Sequence, residues 1–397
     1  MNNNAFVIAF ITTGLYTGGA ERMLYNLLSK IDRQRFQPVV ISLMNRGVWG
    51  TKIDALDIPI YTIGMKEGKP PTPIIVSNLI TTVRQIQPDL LQGWMYHGNL
   101  AAQVAKIFCA RNIPVLWNIQ HSMYSLKYEK LMSRLVIKSG AKLSQSASSI
   151  IYVSQTGKSQ HEKIGYSSNN GCVIPNATDS CLFVPSQQAK QDVRSELGLA
   201  ENDLLIGQFA RFHPMKDHAN FLHAAAFLLQ NTSQNTSQNL HFLLAGTEVN
   251  QDNQILTELI QKLGLSNRVH LLGERSDMPR LTAALDIMTV ASAYGEAFPL
   301  VLGEAMSCAV PCVVTDVGDS AWIIGNTGKV VPPKNSQALA NAWKQLLELG
   351  KEGRTALGQA TRSRNIELFS LDSIVTRYEQ EYENALSKQI LKQAAFI

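Results

Sequence analysis

The residues best placed to do chemistry lie at 291–306, ASAYGEAFPLVLGEAM, where Glu296 and Glu304 are separated by seven residues. An apolar strand ends near Ser292, a short loop follows, and a helix is expected from Phe298, with Pro299 and Leu300 in its first turn. A strand–loop–helix turn at the carboxyl end of a parallel sheet offers free backbone N–H groups and a positive dipole end to a phosphate. Carboxylates accept hydrogen bonds from sugar hydroxyls. Turn and carboxylates together suit a nucleotide sugar, the diphosphate on the turn and ribose and hexose on the two glutamates. The same spacing also fits an ordinary strand–helix unit with two solvated glutamates.

Other candidates follow strands. Arg211 and Lys216 stand in ARFHPMKD, directly after an apolar run. His97 and His121 stand in WMYHGN and WNIQHS. A lone histidine is more often structural, and the remaining histidines show no ligand-like grouping. Gly14, Gly18 and Gly19 allow close backbone approach to a ligand. Their spacing is not G-x-G-x-x-G, which disfavours a dinucleotide site. Five cysteines, scattered and without metal-ligand spacing, suggest reduced thiols in a cytosolic protein.

The elements that must carry these residues come in two sets. Short apolar runs at 6–12, 38–44, 60–64, 90–94, 114–120, 149–154 and 172–175 read as buried parallel strands. Helical patterns at 21–28, 74–86 and 99–109 lie between them. The pattern restarts with strands at 204–210, 241–246, 269–273, 286–292, 311–316 and 328–331, and helices at 221–229, 255–263, 298–307 and 336–349. This alternation predicts an α/β protein of two tandem Rossmann-like domains, with the carboxyl ends of both sheets facing an interdomain cleft. The expected division is 1–185, 186–370, and a final helix from 371 crossing back toward the first domain. The polar stretch 185–192 reads as linker, and QNTSQNTSQN at 230–239 as a surface loop.

Composition narrows the classes. At 45% apolar and 17% charged residues, 397 residues supply ample core and no sign of global disorder. No stretch reaches the ~18 apolar residues of a membrane span. Residues 1–20 lack charge but also lack a basic n-region and a small-residue cleavage site, so 6–12 reads as a strand and not a signal peptide. Residues 1–185 hold 18 Lys+Arg against 9 Asp+Glu, and residues 186–397 hold 18 against 22. The basic half suits an anionic membrane surface or a phosphorylated acceptor. No nucleic-acid motif is present.

Glu296 and Glu304 form an E-x7-E motif similar to that of retaining glycosyltransferases with the GT-B fold, and the chain resembles glycosyltransferase family 4 over roughly residues 5–380. Gly14 to Arg22, GLYTGGAER, resembles the family's first strand–helix loop. IPNATD at 174–179 resembles its I-P-N-G-V-D, Arg211 and Lys216 its G-R-x4-K-G, and Asp316 to Gly318 the turn after its fifth strand. Ala177, Ala210, Asp217 and Ala297 stand where the family usually has glycines, so slight remodelling of those turns is expected.

The resemblance implies a metal-independent hexosyltransferase that moves a sugar from a nucleotide diphosphate donor, UDP favoured and GDP next, to an acceptor hydroxyl with retention. No cofactor is expected, and the sequence has no Asp-x-Asp. His121, Arg211, Lys216 and Glu296 would be catalytic, the two cations stabilising charge on the departing β-phosphate. His121 would approach the transferred sugar. Gly18, Gly19, Phe298, Pro299, Leu300 and Glu304 would bind the donor, while Arg22 and His97 would face the acceptor. The leaving phosphate would help remove the acceptor proton. The acceptor class would be a lipid-linked or cell-envelope glycan, as in polysaccharide biosynthesis. A sugar-nucleotide epimerase of the same architecture and a non-catalytic sugar-nucleotide-binding subunit are the alternatives. Finally, Lys127, Lys130, Arg134, Lys138 and Lys142 recur at helical steps, with Leu131, Met132, Leu135 and Val136 away from the stripe, and Gly140 stands near a possible helix end. That pattern fits either a solvated basic face or peripheral docking of a cytoplasmic protein on the inner face of the membrane.

Overall fold

The computed structural model describes residues 5–16, 18–108, 113–123, 126, 131–232 and 239–394, with 392–394 described in backbone only. Cys109, Lys127, Lys130, most of the 230–239 loop and Thr17 lie outside the described residues.

The chain divides into two compact units, residues 1–176 with 371–397, and residues 177–370. The first holds β1 (Phe6–Thr12), β2 (Phe36–Ser42), β3 (Ile60–Thr62), β4 (Leu90–Trp94), β5 (Val115–Ile119), β6 (Ser149–Tyr152) and β7 (Gly171–Val173). They form one parallel sheet in the order β3-β2-β1-β4-β5-β6-β7. Its helices are α1 (Gly19–Lys30), α2 (Gly47–Asp54), α3 (Pro73–Ile86), α4 (Met95–Ile107), α5 (Leu131–Leu143) and α6 (Gln155–Lys163). The second unit holds β8 (Leu204–Phe209), β9 (Leu240–Ala245), β10 (Val269–Leu271), β11 (Ile287–Val290), β12 (Cys312–Thr315) and β13 (Lys329–Val331), parallel in the order β10-β9-β8-β11-β12-β13. Around it lie α7 (Gln187–Glu196), α8 (His218–Gln230), α9 (Gln254–Lys262), α10 (Met278–Ala284), α11 (Leu300–Ser307), α12 (Ser320–Ile324), α13 (Ser336–Glu348) and α14 (Gly350–Phe369). The last helix, α15 (Leu371–Ala394), belongs to the first unit.

Every expected strand is present, displaced by at most two residues at either end. The strands are apolar on both faces because helices cover both, and side chains such as Ile11, Leu91, Val115 and Ile150 are fully buried in one core while Leu240, Phe242 and Ile287 are in the other. In each sheet the order reverses once, between β1 and β4 and between β8 and β11. Loops leaving the carboxyl ends of neighbouring strands diverge there and leave room for a ligand.

Three expectations need correction. The stretch read as linker is largely α7, capped by the Ser186 hydroxyl, which accepts from Ala189 N at 3.1 Å. The division between units falls after Asn176, since Thr178 pairs with Ser370 and its N–H donates to Phe369 O at 3.1 Å. The helix expected from Phe298 begins at Leu300, with Pro299 as its cap; Phe298 instead packs edge-on against Phe369, ring centroids 5.3 Å apart.

Candidate functional site

In the second unit, three loops meet beyond the carboxyl ends of β8, β11 and β12. The β8 loop carries Arg211 and a short 3-10 turn, Pro214–Lys216. Gln208, near the end of β8, donates from Nε2 to Lys216 O at 2.9 Å. Met215 O accepts from Ala293 N at 2.8 Å, tying that turn to the β11 loop. Thr315, ending β12, donates its hydroxyl to Ser292 O at 2.6 Å. Glu296 sits in the middle, 5% exposed. Its Oε1 accepts from Ser292 Oγ at 2.6 Å and pairs with the Lys216 ammonium. A Cβ on Gly318, at φ 61°, would run into Glu296 O, so this turn requires glycine.

Glu304 lies on α11 and is 3% exposed. Burial chiefly, and then the charge of Glu304, pushes the Cys308 thiol up to about 12. The first turn of α11 has no side-chain cap, so its leading N–H groups lack a side-chain acceptor from the cap residue. Arg211 is exposed and has no hydrogen-bond or ion-pair partner among the described residues.

The departures from the family's glycines resolve individually. Asp217 adopts φ 49°, ψ 52°, the left-handed conformation a glycine takes freely. Aspartate is among the few side chains that tolerate it, and here its carboxylate also caps α8 by accepting from Asn220 N at 3.2 Å. Ala177, Ala210 and Ala297 keep negative φ and need no such compensation.

In the first unit, the segments that follow β1, β4 and β5 carry Gly14 to Arg22, His97 and His121 in turn. Gly18 caps α1, and a Cβ there would run into Glu21 Oε2. That oxygen is the far end of a flexible side chain, which can swing aside, so the contact does not by itself require glycine at 18. Burial raises the Glu21 carboxyl above its ordinary value. Gly19 opens α1 and Arg22 lies in its first turns. His97 lies on α4, within the helix and not in the loop before it, and burial lowers its pKa. His121 follows β5, and the Tyr96 ring stands 6.1 Å from it at 79°. Tyr96 and His161, whose side chains join at 2.7 Å, were not legible in the sequence. No spacing signal links residues on α4 and α6.

Among the described residues, no group of three or more His, Cys, Asp or Glu has the geometry of a metal site.

Residues 17–182 match the family description Glycosyltransferase Family 4, and residues 189–364 match Glycosyl transferases group 1. The chain is thus a glycosyltransferase of the family 4 type, with the GT-B arrangement of two Rossmann-like domains. Bacillus subtilis EpsF is 25% identical over 336 residues, 80% of each chain. The UDP-Gal:alpha-D-GlcNAc-diphosphoundecaprenol alpha-1,3-galactosyltransferase of Escherichia coli is 29% identical over 159 residues, 39% of this chain and 38% of that protein. Among solved structures, Anabaena Alr3699/HepE in complex with UDP superposes with a TM-score of 0.82 at 24% identity, covering 95% of this chain and 99% of that one.

Proposed function

We propose that the protein is a retaining, metal-independent hexosyltransferase that takes a sugar from a nucleoside diphosphate, UDP in preference to GDP, and places it on a hydroxyl of a lipid-linked or cell-envelope glycan. The observation that carries this reading is the second unit's loop cluster, with the buried Glu296 held by Lys216 and Ser292, and Arg211 exposed on the same β8 loop as Lys216. The uncapped start of α11 suits a diphosphate, and Glu304 suits ribose hydroxyls. Arg211 and Lys216 would stabilise the charge that grows on the leaving phosphate. His121 would meet the transferred sugar, and Arg22 and His97 the acceptor. The UDP and UDP-glucose complexes of HepE and the undecaprenol-linked substrate in the name of the Escherichia coli relative support donor and acceptor class.

A thermal-shift panel of UDP- and GDP-sugars tests the donor, because a ligand of the native state raises stability by mass action. Stabilisation by UDP-sugars and turnover that survives EDTA are expected. Preference for GDP-sugars, inhibition by EDTA that added metal reverses, or conversion of the sugar nucleotide without any acceptor would each overturn part of the reading. Glu304→Ala should stay folded and lose about 1.5–3 kcal/mol of donor binding, the range for hydrogen bonds to a charged group. Unchanged affinity by calorimetry would remove Glu304 from the site.

The acceptor class bears on α5. Leu131 is 71% exposed, and Met132 and Leu135 are exposed beside Lys138 and Lys142. Only Ile137, Gly140 and Ala141 of this helix are buried. Gly140 does not end it; a Cβ there would meet the Tyr166 hydroxyl at 2.5 Å, and the helix continues to Leu143. Exposed leucines among cations suit an anionic lipid surface at about 1 kcal/mol per basic residue. No helix among the described residues is long and apolar enough to cross a membrane. Flotation with anionic vesicles at low salt, lost on Lys138→Glu/Lys142→Glu, is expected. Equal recovery with neutral vesicles would point to an acceptor met in solution.

A further inference from the structure

One helix grips the loop that carries His121. Gln160 and His161 are consecutive on α6. Gln160 Oε1 accepts from Ser122 Oγ at 2.9 Å and from Met123 N at 2.7 Å, the two residues after His121. His161 has no exposed surface, and its Nδ1 lies 2.7 Å from Gly157 O. A carbonyl only accepts, so Nδ1 carries the proton and the unprotonated Nε2 takes the Tyr96 O–H at 2.7 Å. Burial holds His161 at about 4, keeping the ring neutral at pH 7. Tyr152 and Tyr166 wall the ring at 5.6 and 5.0 Å between centroids. The Tyr96 ring, fixed at its hydroxyl, stands edge-on to His121. Met95, directly before it, sits at φ 62°, a conformation that costs a non-glycine residue roughly 1–3 kcal/mol and persists only where the surroundings enforce it.

We propose that Tyr96 and His161 are positioning residues for His121: the neutral imidazole of His161 orients the tyrosine, and the tyrosine ring sets the plane of the His121 ring. This rests on the reading that His121 meets the transferred sugar. The hydroxyl matters through its bond to His161, so a change at either partner should reach His121 without touching the donor loops of the second unit.

The test uses the full chain labelled with ¹⁵N-histidine. Tyr96→Phe keeps the ring and removes the hydroxyl. The His121 ring resonances should move, while those of His223 and His270, in the other unit, stay. His161→Gln retains an acceptor for the Tyr96 O–H and should leave the His121 signals near the parent's, whereas His161→Leu should move them. In turnover of UDP-glucose, Tyr96→Phe should lower kcat about tenfold with donor KM within about twofold, the signature of a group acting on the reacting geometry and not on binding. Unmoved His121 signals in Tyr96→Phe, or equal effects of Gln and Leu at 161, would overturn the proposal. Wild-type turnover in His121→Ala is a different result and would overturn the role of His121 itself.

Discussion

Lys216→Ala should lose both stability and turnover, whereas Arg211→Ala should lose turnover alone. Lys216 is mostly buried against Glu296, and among the described residues the Glu296 carboxylate keeps only the Ser292 hydroxyl if the ammonium goes. Breaking a buried ion pair from one side typically costs about 3–5 kcal/mol, most of it the price of an uncompensated charge. The double variant Lys216→Ala/Glu296→Gln removes that charge and should recover part of the stability, though not the turnover. Arg211 is exposed and unpaired among the described residues, so its removal leaves the fold unchanged. If it meets the leaving phosphate, its loss should cost about 100-fold in kcat, the scale for one lost donor to a developing anion. Denaturant titration and single-turnover kinetics separate the two effects. A Lys216→Ala protein as stable as the parent would show that the pair does not hold the loops together.

Stability should fall steeply on mild acidification. Burial lowers His161 and His218 from the ordinary 6.5 to about 4. Above pH 6.5 both are neutral in folded and unfolded chains and contribute no difference. Between pH 6.5 and 4 the unfolded chain takes up protons that the folded one refuses. Stability therefore drops as pH falls through this window, by up to about 1.4 kcal/mol per pH unit for each histidine. The full loss approaches roughly 3 kcal/mol apiece at pH 4. Urea titrations at pH 7, 6 and 5 check this. Equal stability at all three would mean that these rings are not held neutral.

What the sequence reveals depends on what each element buries. The strands are legible because runs such as Phe6–Thr12 and Leu240–Ala245 are apolar on both faces. Helix α14 is not, because it buries Gly358, Thr361, Asn365 and Phe369, a face with one large apolar side chain. Helix α7 hides for a related reason. Its buried face includes Arg194, whose guanidinium is satisfied by Asp203 O, Ala284 O and the Asp286 carboxylate. Apolar periodicity cannot register a buried arginine. At the site, Glu296 and Glu304 are marked by their strand–loop–helix turn, and Arg211 and Lys216 by following a strand, with the family resemblance deciding their reading. The pairing of Lys216 with Glu296 does not, since it depends on loops 80 residues apart. The Tyr96–His161 bond spans 65 residues and is equally silent in one dimension.

The first unit is discontinuous in sequence, and its closing element arrives last. Tyr378 of α15 stacks on Trp94 and accepts from Asn118 Nδ2 at 2.7 Å, while Tyr382 meets Phe10 and Phe36 edge-on. Glu379 accepts from Asp32 N at 2.8 Å and pairs with Arg35. Those partners are all made before residue 119, yet they wait for the intervening 177–370 segment to be synthesised. At about 5–20 residues per second that is a delay of roughly ten seconds or more. During it, the aromatic faces of β1 and β4 have no cover from α15. The second unit is an unbroken segment whose ends meet at the Thr178–Ser370 pairing, so it can fold as soon as it emerges. A nascent chain stalled before residue 371 should therefore hold a folded second unit beside a first unit that is protease-sensitive and dependent on chaperones until the last helix docks.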